Sequence, residues 1–178
     1  METVSKLSSN QQASPEVRFD GQTVIITGAG QGLGRAYALM FSRLGANVVV
    51  NDVSEKGANA VVAEITQGKT FFRRVEIFHS WISFQAGGKA AAAVTSAEDG
   101  EAIVKVALEK FGGVHVLIAN AGILRDKSFT AMTDPEWDAV MAVHLKGTFK
   151  CVKAVWPIFL KQKYGRVVTT ASQVGICK

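Results

Sequence analysis

Short apolar segments alternate along this chain with longer segments in which apolar residues recur every three or four positions. Segment 23–26, Thr-Val-Ile-Ile, is β-branched throughout, as is typical of a buried strand in a parallel sheet. The same reading of the apolar segments predicts five strands, near 23–28, 47–52, 89–94, 114–119 and 165–171. Since helical patterns separate these strands, the chain is predicted to form an α/β domain around a parallel sheet.

The segment that follows the first strand is predicted to be an amphipathic helix from Leu33 to Leu44. Its apolar residues recur at helical spacing: Ala36, Leu39, Met40 and Leu44. We expect this face to pack against the sheet, because a surface helix buries its apolar stripe.

Glycines lie between that strand and that helix, in segment 27–34, Thr-Gly-Ala-Gly-Gln-Gly-Leu-Gly. In such a turn Gly28 permits the tight bend, Gly32 lets the backbone approach a pyrophosphate, and Gly34 lets the helix and strand close together. Unpaired N–H groups at the start of the helix attract the phosphate charge. A structural turn without a ligand is the alternative for glycines alone.

The next strand ends in Asp52, at the distance from the glycines where an acid that binds a ribose 2′-hydroxyl is expected. A carboxylate there would repel a 2′-phosphate, and Gln31 offers no cation to bind one, so the pattern favours NAD. A solvated aspartate is the alternative. Strand, loop, helix and acid together predict a Rossmann-type doubly wound parallel sheet of strand order 3-2-1-4-5.

The spacing of the loop resembles the Thr-Gly-x-x-x-Gly-x-Gly signature of short-chain dehydrogenases/reductases. Two other segments agree: 119–122, Ala-Asn-Ala-Gly, resembles the family's Asn-Asn-Ala-Gly segment, and 165–175 resembles its fifth strand, in which Ser172 matches the catalytic serine. The resemblance covers about 19–67 and 86–176. It implies an oxidoreductase whose cofactor contacts are Gly28, Gln31, Gly32, Leu33, Gly34, Asp52, Asn120, Ala121 and Gly122.

Within the family, the chain resembles the (3R)-hydroxyacyl-CoA dehydrogenase units of peroxisomal multifunctional β-oxidation enzymes. Segments 51–52, 143–149 and 161–166 carry this likeness. His144 stands where most of the wider family has an asparagine, at a helix kink whose backbone carbonyl holds a proton-relay water, so the resemblance makes His144 a catalytic candidate. A solvent-facing helix histidine is the alternative. The likeness also implies a peroxisomal location; without it, a cytoplasmic location is expected. Full-length relatives are expected to be homodimers or homotetramers.

Hydride transfer from an alcohol needs a general base, a group that lowers its pKa and a donor that positions the oxygen. In the family these are Tyr, Lys and Ser, and Ser172 is the candidate donor; a structural hydroxyl is the alternative. The family's Tyr-x-x-x-Lys motif would fall after Lys178, so we expect a five-stranded, incomplete domain without turnover. An edge strand and an apolar helix face are then expected to be open, the face including Val152, Val155, Trp156 and Phe159.

The chain divides into a polar, flexible tail at 1–18 and a partial NAD-binding domain at 19–178, which segment 68–85 interrupts. This aromatic and basic segment has two readings. One is a lid or a membrane-touching hairpin. The other is a retained in-frame intron, since Gly-Lys encoded as GGTAAG, and Cys177-Lys178 encoded as TGTAAG, both contain a GTAAG splice-donor core.

Composition adds little that is specific. The 178 residues are 48% hydrophobic and 20% charged, which suits one globular unit with a core, and the net charge of +5 is spread too widely to indicate nucleic-acid binding. No segment is apolar enough to span a membrane, and Cys151 and Cys177 lack metal or disulfide spacing.

Three functions stay open on the sequence. The first is an NAD-dependent oxidoreductase acting on a hydroxy or keto substrate, which the resemblance implies is a 3-hydroxyacyl-CoA, with this chain as a catalytically incomplete copy. The second is another short-chain reductase with a ketoacyl, sugar or steroid substrate. The third is a non-catalytic nucleotide-binding fragment.

Overall fold

The computed structural model describes residues 17–68 and 87–172, which form a parallel sheet with helices on both faces. The strands are β1 (Thr23–Ile26), β2 (Asn47–Asp52), β3 (Lys89–Val94), β4 (Val116–Ala119) and β5 (Arg166–Thr169). The helices are α1 (Gly32–Arg43), α2 (Glu55–Thr66), α3 (Gly100–Phe111), α4 (Asp134–Met141) and α5 (Thr148–Gln162). A 3₁₀ turn at Phe129–Ala131 precedes α4, and a π-helical turn at Ala142–Gly147 joins α4 to α5.

The strand order β3-β2-β1-β4-β5 confirms the predicted doubly wound α/β fold. All four strand pairings are parallel, so every strand ends at the same edge of the sheet, called here the carboxyl edge. The chain leaves β1 towards β2 on one side and returns to β4 on the other. A crevice therefore opens at the carboxyl edge between β1 and β4, the position at which doubly wound sheets bind ligands.

The core has two layers, because successive residues of a strand point to opposite faces. On one face Val24 and Ile26 of β1 pack with the buried residues of α1 and α2. On the other face Ile25 packs with α3 and α5, through residues such as Ile103 and Val155. Strands covered on both faces explain the continuous apolar segments in the sequence.

The predicted buried face of α1 was partly wrong. Leu39 is buried, but Ala36 and Met40 are exposed, and the helix instead buries Gly34 and Ala38. At Gly34 the helix lies against the Gly28 carbonyl oxygen and Ala29, so this side of α1 faces the turn that follows β1.

The expectation of an open apolar face on α5 was also wrong for most of its members. Val155 and Phe159 are buried and Val152 is half-buried, because α5 lies beside α3 on the sheet. Only Trp156 of the expected set is exposed, at 52%. The open edge was predicted correctly, since the residues of β5 are exposed at one end of the sheet.

Three strands are shorter than predicted. β1 ends at Ile26 because the turn begins at Thr27, and β4 and β5 span Val116–Ala119 and Arg166–Thr169. The predictions for the tail at 1–18 and segment 68–85 lie almost wholly outside the described residues, as does the intron boundary after position 176. Among the residues that the structure describes, no helix is long and apolar enough to cross a membrane.

Candidate functional site

Gly28 and Gly34 are two positions at which the turn between β1 and α1 depends on glycine. Gly28 has a φ of 62°, and a Cβ there would lie 2.9 Å from the Cα of Ala121. A Cβ on Gly34 would collide with the Gly28 carbonyl oxygen and lie 2.9 Å from the Cα of Ala29. Side chains at these positions would therefore push the turn away from the β4 loop and from α1.

The start of α1 faces open space. Gly32 has a φ of 54°, and a Cβ there would meet nothing within 4 Å. Gln31 makes no capping hydrogen bond with its side chain, and the first turn of α1 carries no acidic residue. The partial positive charge of the helix start is thus left available for an anion.

Thr27 ties the β1 turn to the loop after β4. Its hydroxyl oxygen accepts hydrogen bonds from the amides of Asn120, at 3.0 Å, and Ala121, at 2.9 Å. In return, the Asn120 side-chain amide donates to the carbonyl oxygens of Thr27, at 3.0 Å, and Gly28, at 3.3 Å. Sequence reasoning missed this role of Thr27, although Thr27 is the first residue of the Thr-Gly-x-x-x-Gly-x-Gly pattern.

Asp52 is held by backbone amides at the end of β2. One carboxylate oxygen accepts from Gly30 N–H at 2.9 Å, and the other from Ser54 N–H at 2.8 Å. The preceding residue, Asn51, is 1% exposed, and its amide donates to carbonyl oxygens of Ala93 and Thr95. These bonds fix the end of β2, and with it the carboxylate, beside the glycine turn.

These loops enclose a cleft of about 360 Å³ at the carboxyl edge. Eight of the predicted site residues line it: Gly28, Gln31, Leu33, Gly34, Asp52, Asn120, Ala121 and Gly122. The other lining residues are Asn51, Val53, Thr95, Ser96, Ala97, Ile123 and Val143. Among the predicted site residues, Gly32, His144 and Ser172 are not part of the lining.

His144 lies next to the cleft, in the π-helical turn. Its Nε2 is 3.0 Å from the amide nitrogen and 2.8 Å from the carbonyl oxygen of Ile123, so it bonds to one or the other according to its tautomer. A Cβ on Gly122 would lie 2.8 Å from the imidazole ring. The carbonyl oxygen of His144 accepts from the Thr148 hydroxyl at 2.8 Å. The side chain therefore fastens the β4 loop to the start of α5.

Ser172 lies three residues beyond β5 and is exposed. Thr170 brings this segment to the carboxyl edge, since its amide donates to Ala119 O at 3.0 Å and its hydroxyl to Asn120 Oδ1 at 3.3 Å. Ser172 thus follows a segment bonded to the β4 loop.

The charges near the cleft favour a diol over a phosphate at Asp52. Arg35, one residue after Gly34, donates to both carboxylate oxygens of Glu64 at 2.7 Å. That guanidinium is engaged between α1 and α2, so the carboxylate of Asp52 sets the local charge beside the glycine turn.

Comparison with known proteins assigns the fold and its family. The model of the short chain dehydrogenase family matches residues 22–178. A peroxisomal hydratase-dehydrogenase-epimerase of Neurospora crassa is 46% identical over 90% of the chain, which spans 17% of that protein. A peroxisomal multifunctional enzyme type 2 of Mus musculus is 46% identical over 92% of the chain, which spans 21% of that protein.

Among solved structures, a 7α-hydroxysteroid dehydrogenase complexed with NADH and 7-oxo glycochenodeoxycholic acid superposes with a TM-score of 0.76. It is 30% identical, and the match covers 91% of this chain and 57% of that one. The resemblance inferred from the motifs is therefore confirmed, whereas the chain spans only about a fifth of the curated relatives named above.

Proposed function

Because this chain belongs to the short-chain dehydrogenase family, we propose that the cleft at the carboxyl edge binds NAD and serves an oxidoreductase. The observation that carries the proposal is the carboxylate of Asp52, fixed between two backbone amides on the wall of the same cleft as Gly28 and Gly34. A fixed acid beside a glycine turn matches a ribose diol next to a pyrophosphate.

The residues present suit the group chemically. The uncapped start of α1, with open space in front of Gly32, suits the pyrophosphate, and Asp52 suits the adenosine ribose. The segment Asn120 to Gly122 also lines the cleft and is proposed to border the nicotinamide. NADP is disfavoured, because its 2′-phosphate would meet the Asp52 carboxylate while Arg35 is bound to Glu64.

The bound nicotinamide accepts or donates the hydride in this chemistry. For this chain we propose that the Ser172 hydroxyl donates a hydrogen bond to the substrate oxygen and orients it. His144 is proposed to keep the β4 loop in place through Ile123, which makes it a positioning residue. The Thr148 hydroxyl donates to the His144 carbonyl oxygen, and it is proposed as a polar group at the place where the resemblance puts the proton relay.

The proposed substrate is a 3-hydroxyacyl-CoA or its keto form, and the proposed compartment is the peroxisome. Support comes from the 46% identity to the peroxisomal enzymes of Neurospora crassa and Mus musculus. A second candidate is another small hydroxy or keto compound such as a steroid. It is supported by the TM-score of 0.76 to the 7α-hydroxysteroid dehydrogenase.

Calorimetric titration of the whole chain with NAD and with NADP tests the cofactor. We expect NAD to bind and NADP to bind at least roughly tenfold more weakly, since a charged hydrogen-bond acceptor contributes about 1.5–3 kcal/mol. Asp52→Asn is expected to lower the affinity for NAD by a similar factor and to reduce the preference for NAD over NADP. Asp138→Asn, a matched change of an exposed acid on α4, is expected to change neither affinity.

A folded chain that gives no heat with NAD would refute the proposal. Substrate choice is tested on the NAD-loaded chain by titrating acetoacetyl-CoA and a 7-oxo bile acid in parallel. Binding of acetoacetyl-CoA alone supports the first candidate, and binding of the bile acid alone supports the second.

A further inference from the structure

Gly30 occupies a position in the glycine turn that the family signature leaves unspecified. It is not among the glycines with positive φ, so its backbone is one that other residues adopt freely. A Cβ built on Gly30 would nevertheless lie 2.8 Å from both the carboxyl carbon and Oδ2 of Asp52. The reason for glycine here is therefore contact with Asp52 and not backbone conformation.

We propose that Gly30 determines cofactor specificity by positioning Asp52. Its amide donates to Asp52 Oδ2 at 2.9 Å, and its missing side chain leaves the space that the carboxylate fills. Both contributions fail together when a methyl group is added, since the carboxylate has to turn away and loses this hydrogen bond. This inference rests on the proposed binding of NAD.

The turn has little room to shift as a unit. The first turn of α2 lies beside Gly30, and a Cβ on Gly57 would be 3.3 Å from the Gly30 Cα and oxygen. Gly57 is in turn fixed by its amide, which donates to the Ser54 hydroxyl at 3.1 Å. The side chain of Asp52, which is only half-buried, is consequently the group that gives way.

The predicted consequence is loss of selectivity with the fold retained. Gly30→Ala keeps the charge of Asp52 but displaces it from the ribose hydroxyls, so NAD affinity falls and the ratio of NAD to NADP affinity narrows. An effect on general stability would weaken both dinucleotides equally, so this ratio separates positioning from a structural role.

The test is a double-mutant cycle on the whole chain with Gly30→Ala, Asp52→Ala and the double variant, measured by calorimetry. The probes are NAD, NADP and an NAD analogue with a 2′-deoxyadenosine half. Gly30→Ala is expected to weaken NAD binding roughly tenfold and to weaken binding of the deoxy analogue, which keeps only the 3′-hydroxyl, by a smaller factor. The double variant is expected to bind NAD no more weakly than Asp52→Ala.

Gly113→Ala is the matched control, because Gly113 also lacks positive φ and a Cβ there meets only ordinary contacts, the nearest at 3.6 Å. Gly57→Ala is a second probe, because its methyl group would contact Gly30 from the first turn of α2. We expect it to lower the affinity for NAD and the ratio of NAD to NADP affinity, by smaller factors than Gly30→Ala. It keeps the inference testable if Gly30→Ala does not fold.

Additive effects in the cycle, or an unchanged ratio of NAD to NADP affinity in Gly30→Ala, would overturn the role of Gly30. If Gly30→Ala does not fold, an unchanged ratio in Gly57→Ala overturns it. These outcomes differ from failure of the proposed function, in which the unaltered chain itself does not bind NAD.

Discussion

The two edges of the sheet both carry polar side chains at strand ends, yet they use them differently. At the edge where the strands begin, His115 Nδ1 accepts the Thr23 amide at 2.9 Å, and the Gln162 amide donates to Val114 O. At the carboxyl edge, Thr27 and Asp52 accept amides from neighbouring loops. Both edges thus satisfy backbone groups, so polar residues at strand ends do not by themselves identify the functional edge.

The difference lies in the helices. In a parallel sheet with crossover helices, each helix runs opposite to the strands and starts at the carboxyl edge. A second hollow, of about 260 Å³, lies at the opposite edge and is lined by Asp20, Ser42, Asn47 and Lys89 among others. Arg18 pairs with Asp20 there, and lowers the pKa of that carboxyl through its hydrogen bond. The hollow at the opposite edge is polar but is not at the edge where the helices start, so it is a weaker candidate than the cleft for binding an anionic ligand.

The largest effect is expected for Gly34→Ala at the carboxyl edge. The added methyl group would collide with the Gly28 carbonyl oxygen and approach the Asn120 side chain to 2.7 Å. Because backbone has to move, we expect a loss of about 3 kcal/mol in the free energy of unfolding, and loss of NAD binding. Urea denaturation and calorimetry measure both, and an unchanged midpoint would show that the turn is loosely packed.

Cys151, a buried residue of α5, provides a test of packing behind the carboxyl edge. Cys151 is 2% exposed, and its thiol donates to the carbonyl oxygen of Ala97, which lines the cleft. Burial raises the pKa of the Cys151 thiol from 9.0 to about 11. In a Cys177→Ser background, iodoacetamide at pH 8 is expected to react about a hundredfold more slowly with folded than with urea-unfolded chain, since the folded thiolate is scarcer.

The pH dependence of that reaction has a definite sign. The unfolded chain should reach its maximal rate above pH 9, whereas the folded chain should continue to accelerate towards pH 11. The contribution of the buried thiol to stability is accordingly full below pH 9 and is lost as the pH rises to 11. Equal rates for the folded and unfolded chain would contradict the burial of Cys151.

Thr27→Val tests the link between the β1 turn and the β4 loop. The substitution keeps the shape but removes the acceptor of the Asn120 and Ala121 amides. We expect a loss of about 2 kcal/mol in unfolding free energy, because two amides lose a buried partner, and weaker NAD binding. Thr27→Ser retains the hydroxyl and is expected to keep most of the stability and most of the NAD affinity. Equal losses for the two variants would mean that the hydroxyl does not hold the β1 turn to the β4 loop.

The sequence was sufficient to predict the fold and to bring Asp52, Gly28 and Gly34 to one cleft, because a strand, a turn, a helix and an acid follow at fixed spacing. Their part in binding a cofactor stays a prediction. Thr27 was not assigned a role, since its partner Asn120 comes from a distant part of the chain, and the spacing of Asp52 did not show that it accepts the Gly30 amide. Their significance is visible only once the loops are assembled.

The helix faces were predicted less well for a related reason. Helical spacing shows that a stripe exists, but neighbours decide which side is buried. Helix α1 buries the side that carries Gly34 and exposes Met40, while the position of α5 beside α3 buries Val155. His144 and Ser172 were chosen by resemblance, and neither lines the cleft, although His144 contacts the lining residue Ile123. Their catalytic roles stay predictions.

A smaller effect is expected at the opposite edge. His115→Leu removes the acceptor of the Thr23 amide and leaves an apolar side chain of similar size in its place. We expect a loss of about 1 kcal/mol in unfolding free energy and unchanged NAD affinity, because the change lies at the far end of β1 and β4. A weaker affinity for NAD in a folded His115→Leu chain would show that the two edges are coupled.

The smallest effect is expected from deletion of segment 68–85, which joins Gln67 to Ala86. The two sides of this segment meet at one acceptor: Ile65 O receives the amides of Gly68, at 3.4 Å, and Gly88, at 3.0 Å. A short connection can therefore replace the segment without moving α2 or β3, and the free energy of unfolding is expected to change by less than about 1 kcal/mol. NAD affinity is expected to stay the same, since the junction lies where β3 begins and away from the cleft.

The matched control replaces 68–85 with a Gly-Ser linker of equal length, which separates the sequence of the segment from its length. If both variants unfold cooperatively and bind NAD like the unaltered chain, the segment is dispensable, as an insertion or a retained intron requires. If the deletion fails to bind NAD while the linker variant binds it, the junction is strained and length matters. If both fail, residues within 68–85 contribute to the fold, and the reading of this segment as an addition to a complete β-α-β connection is wrong.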